Sequence, residues 1–296
     1  VGPTASGKSA LALRLAERFP IEIVSCDSLQ AYRGLDIGSA KPTPEERARV
    51  PHHLIDVVSP DEPFSAAEYA RLARAAVAEI ASRGRVPAVV GGSGLYFRAL
   101  FRGLFEGPAR DPALRNRLER IARRFGDARL HRLLARVDPA AASRIRVRDR
   151  VRVIRALEVY WTTGRPISDH HRSEADPLRG YACLLAGLNP ERAELREKVE
   201  QRTRRMLAGG LLEETRQLLK RYPPDTRPLR AIGYRQAQDI LRGDDDAAAG
   251  AQRIVTETMR YAKRQMTWFR REPLVWFSDA EAAFAAIRDW LLARRA

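Results

Sequence analysis

Residues 2–9 read Gly-Pro-Thr-Ala-Ser-Gly-Lys-Ser, the spacing G-x-x-x-x-G-K-[ST]. Few short motifs restrict a fold so strongly. The glycines let the backbone curl until successive N–H groups converge on one anion, and the helix that follows turns its positive end to the same point. Lys8 adds a compact positive charge, and the Ser9 hydroxyl can ligate Mg²⁺. Gly2, Pro3, Thr4, Ala5, Ser6, Gly7, Lys8 and Ser9 are therefore assigned to a diphosphate or triphosphate, with Ser9 as the candidate metal ligand. The loop belongs between a strand and a helix of a parallel sheet. Only Val1 precedes it, so the expected strand is nearly absent and the chain looks truncated there.

The next hundred residues alternate short apolar runs with amphipathic stretches. The pattern predicts a helix over 9–18, a strand over 22–26 ending in Asp27, a weaker strand over 53–58, a helix over 65–83 and a strand over 87–90. Ser65 with Glu68 three residues on is a capping-box pattern. Such alternation indicates an α/β fold: a P-loop NTPase-like parallel sheet flanked by helices. From about Pro108 only helical spacing is evident (Leu114, Leu118, Ile121; Leu130, Leu133, Leu134, Val137). Residues 110–155 hold 15 Arg against 5 Asp or Glu. The expected organisation is thus a core of 1–107 and 177–296 with an inserted, all-helical basic subdomain over 108–176. Strands are predicted over 181–188 and 274–277, and helices over 191–221, 231–242, 247–271 and 280–295. Asp244, Asp245 and Asp246 read as a solvated turn with a helix cap.

Charge narrows the partners. The chain has 53 basic and 37 acidic side chains, a net +16 over 296 residues. A surplus of that size favours a polyanion, because each neutralised phosphate releases counterions. Two cysteines, Cys26 and Cys183, make neither a disulfide framework nor a four-ligand zinc site. His52-His53 and His170-His171 have no acidic cluster beside them, and adjacent strand residues face opposite ways, so a metal reading is rejected. No apolar run approaches the roughly 20 residues of a membrane span and no signal peptide is visible. A cytoplasmic monomer that stays off membranes is expected.

An enzyme that hydrolyses nucleoside triphosphates carries an acid at the end of a second buried strand, where it supports Mg²⁺. Here Ala88-Val89-Val90 runs into Gly91-Gly92-Ser93, and Leu54-Ile55-Asp56 is a poor substitute. The carboxylate at a strand's carboxyl end is Asp27, where ligands of open parallel sheets sit. Spacing alone leaves two readings open for it: a general base or metal-supporting carboxylate near Lys8, or the cap of the next turn.

GPTASGKS, SCDSLQAYRGLDIGSAKP (25–42), GGSGLYFRAL (91–100), RVIRALEVY (152–160), RAIGYRQ (230–236) and RYAKRQMTWFR (260–270) occur in this order. In these segments the chain resembles the bacterial-type tRNA dimethylallyltransferases, or tRNA isopentenyltransferases, along almost its whole length. Ser39 and Ser93 stand where that family more often has Thr, which keeps the hydroxyl. The resemblance implies that the loop holds the diphosphate of dimethylallyl diphosphate and that the allyl group goes to N6 of adenosine 37, next to the anticodon. It implies catalytic roles for Asp27, Lys8, Arg152 and Arg202, with Mg²⁺ near Ser9. It places tRNA contacts at Asp27, Ser28, Leu29, Gln30, Ser93, Arg115, Arg152, Arg155, Arg230, Gly233, Tyr234, Arg235, Lys263, Arg264 and Arg270, and the basic insertion on the anticodon stem. An extruded adenine needs a stacking partner, for which Tyr32, Tyr234 and Trp268 are candidates beside the alternative of packed core aromatics. Three other activities compete: prenylation of free adenine nucleotides, a small-molecule P-loop kinase, and RNA binding without catalysis.

Overall fold

Every side chain of β1 (Ile21–Cys26) is buried, which makes it the central strand of a parallel sheet in the computed structural model. The structure describes residues 1–105, 107, 108, 110–173 and 177–294. β1 lies between β2 (His52–His53) and β3 (Val86–Gly91), with Ile23 opposite both His52 and Ala88. β4 (Ala186–Leu188) and β5 (Val275–Phe277) form a second parallel pair. Val1 runs beside β4, its carbonyl accepting from the Leu188 N–H at 2.9 Å and its nitrogen donating to the Ala186 carbonyl at 2.7 Å. The fold is a P-loop NTPase-like α/β arrangement.

Contacts divide the chain into two compact units, Val1–Leu100 with Arg179–Ala296, and Phe101–Leu178; the second begins ahead of the 108 read from the sequence. In the first, α1 (Lys8–Ala16) and α14 (Ala280–Leu292) share one apolar cluster with the sheets: Leu11, Leu15, Ile21, Ile23, Leu188, Phe284 and Leu291. α2 (Pro44–Arg49) opens with a complete capping box of Thr43 and Glu46. α3 (Ala66–Ser82) buries Tyr69, Ala73, Val77 and Ile80 and packs on β1 and β3. Its cap Ser65 accepts from the Glu68 N–H at 3.1 Å. α4 (Gly94–Phe101) follows β3 directly.

The second unit is helical: α5 (Pro112–Phe125), α6 (Asp127–Val137), α7 (Pro139–Arg144), α8 (Arg150–Thr163) and α9 (Ile167–Ser173). Asp111, Asp138 and Asp149 cap α5, α7 and α8 through their side chains. Leu118, Leu130, Leu134 and Leu157 are wholly buried in its core; truncating any one to Ala costs about 2–5 kcal/mol. The chain returns through α10 (Arg192–Ala208), α11 (Leu211–Leu219), a 3₁₀ turn over Arg227–Arg230, α12 (Tyr234–Arg242) and α13 (Ala247–Phe269).

Several expected elements are shorter. The helix over 191–221 breaks at Gly209-Gly210, where Gly210 is left-handed at φ 100°. The strand over 53–58 stops at His53 because Leu54 and Asp56 take positive φ values of 64° and 57°. Only three residues of 181–188 are strand, matching the three that β5 offers. Asp246 caps α13 as expected, accepting from the Ala249 N–H at 2.7 Å.

His52, His53 and His170 each have a partner within the protein. His53 Nε2 meets Glu22 at 2.6 Å, and His52 Nδ1 meets the Val50 carbonyl at 2.7 Å. His170 lies on a helix, not a strand, and stacks on Phe105 at 4.1 Å. The side chain of His171 and residue 176 of the expected boundary lie outside the described residues.

Candidate active site

The phosphate loop curls through three positive φ values, 145° at Gly2, 63° at Ala5 and 90° at Gly7. A Cβ at Gly2 would stand 2.6 Å from the Leu188 carbonyl oxygen, so no side chain fits where the loop crosses β4. Gly7 N-caps α1 in the left-handed region, which only glycine occupies without strain. Lys8 Nζ donates to the Pro3 carbonyl and approaches Ser6 Oγ at 3.4 Å. Its amine is thus held across the loop mouth.

Burial pushes the Lys8 ammonium down from 10.5 to about 8; Asp27 pulls it up and Arg202 pushes it further down. Between those two values the unfolded chain holds more protons than the native one, so this residue makes stability rise with pH there. A bound anion reverses the electrostatics and restores the proton. Diphosphate binding is therefore expected to be accompanied by proton uptake at pH above about 8. Calorimetric titration in two buffers of different ionisation enthalpy measures it; equal heats would refute it.

Asp27 follows the last residue of β1, half-buried, and its Oδ1 accepts from the Leu29 N–H at 2.9 Å. The two sequence readings are thus not exclusive. One carboxylate oxygen caps the turn while the residue lines two adjoining chambers of about 510 and 590 Å³. Thr4, Asp27, Ser39, Arg202 and Tyr261 line both. The first chamber adds the loop, Lys8, Ser9, Lys41 and Arg205. The second adds Arg230, Gly233, Arg235 and Arg264 and an apolar wall that includes Ile232, Met206 and Ile254. Arg202 Nη1 donates to Thr4 Oγ1 at 3.0 Å. Burial lowers the pKa of this guanidinium from its usual value while Asp27 counteracts it.

No acid stands at the end of β3 because none fits. A Cβ on Gly91 would lie 2.1 Å from the Cys26 carbonyl oxygen. Asp56 is already spent, held by Lys41 and Arg47, the latter at 2.9 Å. Burial alone would raise its carboxyl, and these two cations hold it below the usual value. The Ser9 hydroxyl and the Asp27 carboxylate are oxygen donors that line the same chamber as the loop. Among the described residues no group of three His, Cys, Asp or Glu is placed to hold a metal. Two oxygen donors suit Mg²⁺, which keeps several waters and takes further oxygens from a substrate phosphate.

The segment after Asp27 is held by side chains both near to it and far along the chain. Ser28 N–H donates to Ser93 Oγ at 3.0 Å, and Gln30 Oε1 accepts from Ser25 Oγ at 2.9 Å. The Glu214 carboxylate accepts from three successive N–H groups, Asp36, Ile37 and Gly38, at 3.0, 2.7 and 3.1 Å. Tyr234 donates its hydroxyl to the same carboxylate at 2.7 Å.

Of the two readings left open for Tyr234, stacking partner or packed core aromatic, that contact and its full burial favour the second. Tyr32 is also buried, and Trp268 packs on Gly94 beneath Arg98, whose guanidinium lies 4.4 Å from its ring. Tyr32 and Tyr234 are buried, whereas the half-buried Tyr261 lines both chambers. Arg115 and Arg155, expected on the tRNA, both bond to the buried Glu158, at 2.8 Å each, and so also hold the helical unit together. Arg152, on α8, is exposed and paired with Asp149 at 3.2 Å. Lys263 and Arg270 are exposed.

Sequence reasoning missed Tyr261, Gln265 and Glu214. Helical spacing held a signal for the first two. Glu257, Thr258, Tyr261 and Arg264 line the second chamber, and Gln265 joins Tyr261 on the first, so one face of α13 lines the cavity.

Comparison with known proteins agrees with this architecture. The IPP transferase family model matches residues 30–272. A Geotalea daltonii protein named tRNA dimethylallyltransferase 2 is 48% identical over 288 residues, covering 97% of this chain and 88% of that one. The tRNA dimethylallyltransferase of Anaeromyxobacter dehalogenans is 51% identical over 285 residues, 95% of each chain. The crystal structure of the full-length tRNA isopentenylpyrophosphate transferase from Bacillus halodurans is similar with TM-score 0.70 and 37% identity, over 99% of this chain and 94% of that one. A eukaryotic dimethylallyltransferase acting on tRNA is similar with TM-score 0.76 and 26% identity, over 94% and 72%. The matched sequence and the shared fold together make this chain a member of the IPP transferase family.

Proposed function

We propose that this protein transfers the dimethylallyl group of dimethylallyl diphosphate to N6 of adenosine 37 of tRNA. The observation that carries the reading is the pair of chambers meeting at Asp27, one built for a diphosphate, the other edged by arginines and an apolar wall. The loop amides, Lys8 and Arg202 bind the diphosphate and stabilise the negative charge that grows on it as the allylic C–O bond breaks. Ser9, with support from Asp27, would hold a Mg²⁺, which would supply further neutralisation of the charge growing on the diphosphate. The adenine amine is a weak nucleophile because its lone pair is delocalised into the ring. As the N6–carbon bond forms, Asp27 accepts the N6 proton and pyrophosphate departs. The base leaves its stack to reach this point, and Tyr261 offers it a ring face. Arg230, Arg235 and Arg264 edge the entry chamber, with Ser28, Leu29, Gln30, Ser93, Lys263 and Arg270 on the surrounding tRNA contact.

Incubation with radiolabelled dimethylallyl diphosphate and unmodified tRNA, followed by nucleoside analysis, tests the reading. Label in N6-dimethylallyladenosine is expected from tRNA and from an anticodon stem-loop, and none from AMP. ATP consumption without labelled nucleoside would overturn it.

The helical unit is proposed to grip the anticodon stem through phosphates. Its arginines fall into two groups. Arg115, Arg150 and Arg155 are engaged by carboxylates. Arg117, Arg120, Arg123 and Arg124 on α5 have no carboxylate partner among the described residues and are exposed. Changing these four to Gln is expected to weaken tRNA binding and to lower the slope of log K against log salt by roughly one or more, since each lost phosphate contact contributes about 0.9. The KM for dimethylallyl diphosphate stays at its wild-type value. An unchanged salt slope would remove α5 from the interface.

A further inference from the structure

We propose that Gln265 is a positioning residue that fixes the phosphate loop in its binding shape. This rests on the reading above that the loop holds a diphosphate. Gln265 projects from α13 and is 6% exposed. Both ends of its amide are used. Oε1 accepts from the Thr4 N–H at 2.9 Å, and Nε2 donates to the Gly92 carbonyl at 2.8 Å. A single side chain thus spans from the loop to the turn after β3.

Three features give this span a purpose. The loop holds Ala5 at φ 63°, a left-handed conformation that L-residues rarely adopt. Contacts outside the loop must hold it there when no anion is present. Second, the Thr4 N–H goes to Gln265 and not into the chamber. Thr4 therefore faces the ligand with its hydroxyl, which Arg202 orients. Third, the amide is neutral. A carboxylate at this position would compete with the diphosphate for Lys8 and Arg202, whereas Gln fixes geometry without adding charge. Gly92 is fitted to it: a Cβ there would meet Nε2 at 2.3 Å.

The test uses the full chain and inorganic pyrophosphate with Mg²⁺ as the probe, which asks about the loop without requiring turnover. Gln265→Met keeps the volume and removes both hydrogen bonds. It is expected to weaken pyrophosphate binding and raise the KM for dimethylallyl diphosphate by about tenfold, the scale of one well-made buried hydrogen bond. The dissociation constant for an anticodon stem-loop stays at the wild-type value, a split that general destabilisation would not produce. Gln265→Glu retains the Thr4 bond but loses the Gly92 bond and adds a charge that opposes the anion, so its pyrophosphate affinity falls at least as far as that of Met. Gly92→Ala displaces the amide from the other end and reproduces the shift with Gln265 intact, which decides the matter should Gln265→Met fail to fold. Wild-type pyrophosphate affinity in folded Gln265→Met or Gly92→Ala, or an equal loss of stem-loop affinity, overturns the proposal. Absence of pyrophosphate binding by the wild-type protein overturns instead the reading of the loop on which it rests.

Discussion

Replacing Asp27 with asparagine is expected to lower kcat roughly 10²- to 10⁴-fold, the usual contribution of a positioned general base. Asparagine keeps an acceptor for the Leu29 N–H, so the turn after β1 survives. It cannot take the N6 proton as the bond to carbon forms. Lys8 and Arg202 remain to hold the diphosphate, and binding of tRNA is carried by surfaces beyond this residue. The loss therefore falls on the chemical step, measured by single-turnover formation of N6-dimethylallyladenosine at saturating tRNA and allyl diphosphate. Turnover within a few-fold of wild type would remove Asp27 from the base role and leave it as the cap of its turn.

The second large effect is on stability. Glu158 is wholly buried on α8 and accepts from Arg115, Arg155 and the Asp111 N–H. Burial alone would push its carboxyl up, but these donors outweigh burial and hold it below the ordinary 4.5. Glu158→Leu strands two partly buried guanidinium groups and an amide. Breaking a buried pair by removing one partner costs about 3–5 kcal/mol; the arginines retain some solvent, which places the expected loss near the lower figure, about 3 kcal/mol. A unit of the length of Phe101–Leu178 is stabilised by only about 4–12 kcal/mol in all. Its helices should exchange amide protons faster in the variant while β1 and β3 keep their protection. The same bonds give a sign to acid denaturation. The depressed carboxyl contributes stability above its ordinary value of 4.5, and that contribution fades as pH falls below it. Unchanged exchange in α5 and α8 would show that the pair adds nothing net.

The phosphate loop, the strand ending in Asp27 and the basic helical stretch were legible because each is a local pattern. A spacing of glycines, a run of apolar residues and a density of arginine need no fold to be seen. What was not legible depends on distance along the chain. Glu214 bonds to residues 36–38 and Gln265 to Thr4, and no local pattern announces either. The roles of individual arginines were hidden for a related reason. Arg115 and Arg117 are indistinguishable as letters, yet helical rotation turns the first onto Glu158 and leaves the second in solvent. Tyr234 stayed ambiguous between stacking partner and core aromatic because its motif gives the residue type and not the direction in which it points.

The order in which the site's parts leave the ribosome has a consequence of its own. The loop is made at residues 2–9, while Arg202, Glu214 and Gln265 arrive some two hundred residues afterwards. At the usual pace of ~5–20 residues per second the interval is on the order of 10–50 s. During that time the nascent loop has neither the amide that restrains Thr4 nor the guanidinium that faces it. Unfinished chains should therefore be blind to pyrophosphate, and competence should appear abruptly once α13 has emerged.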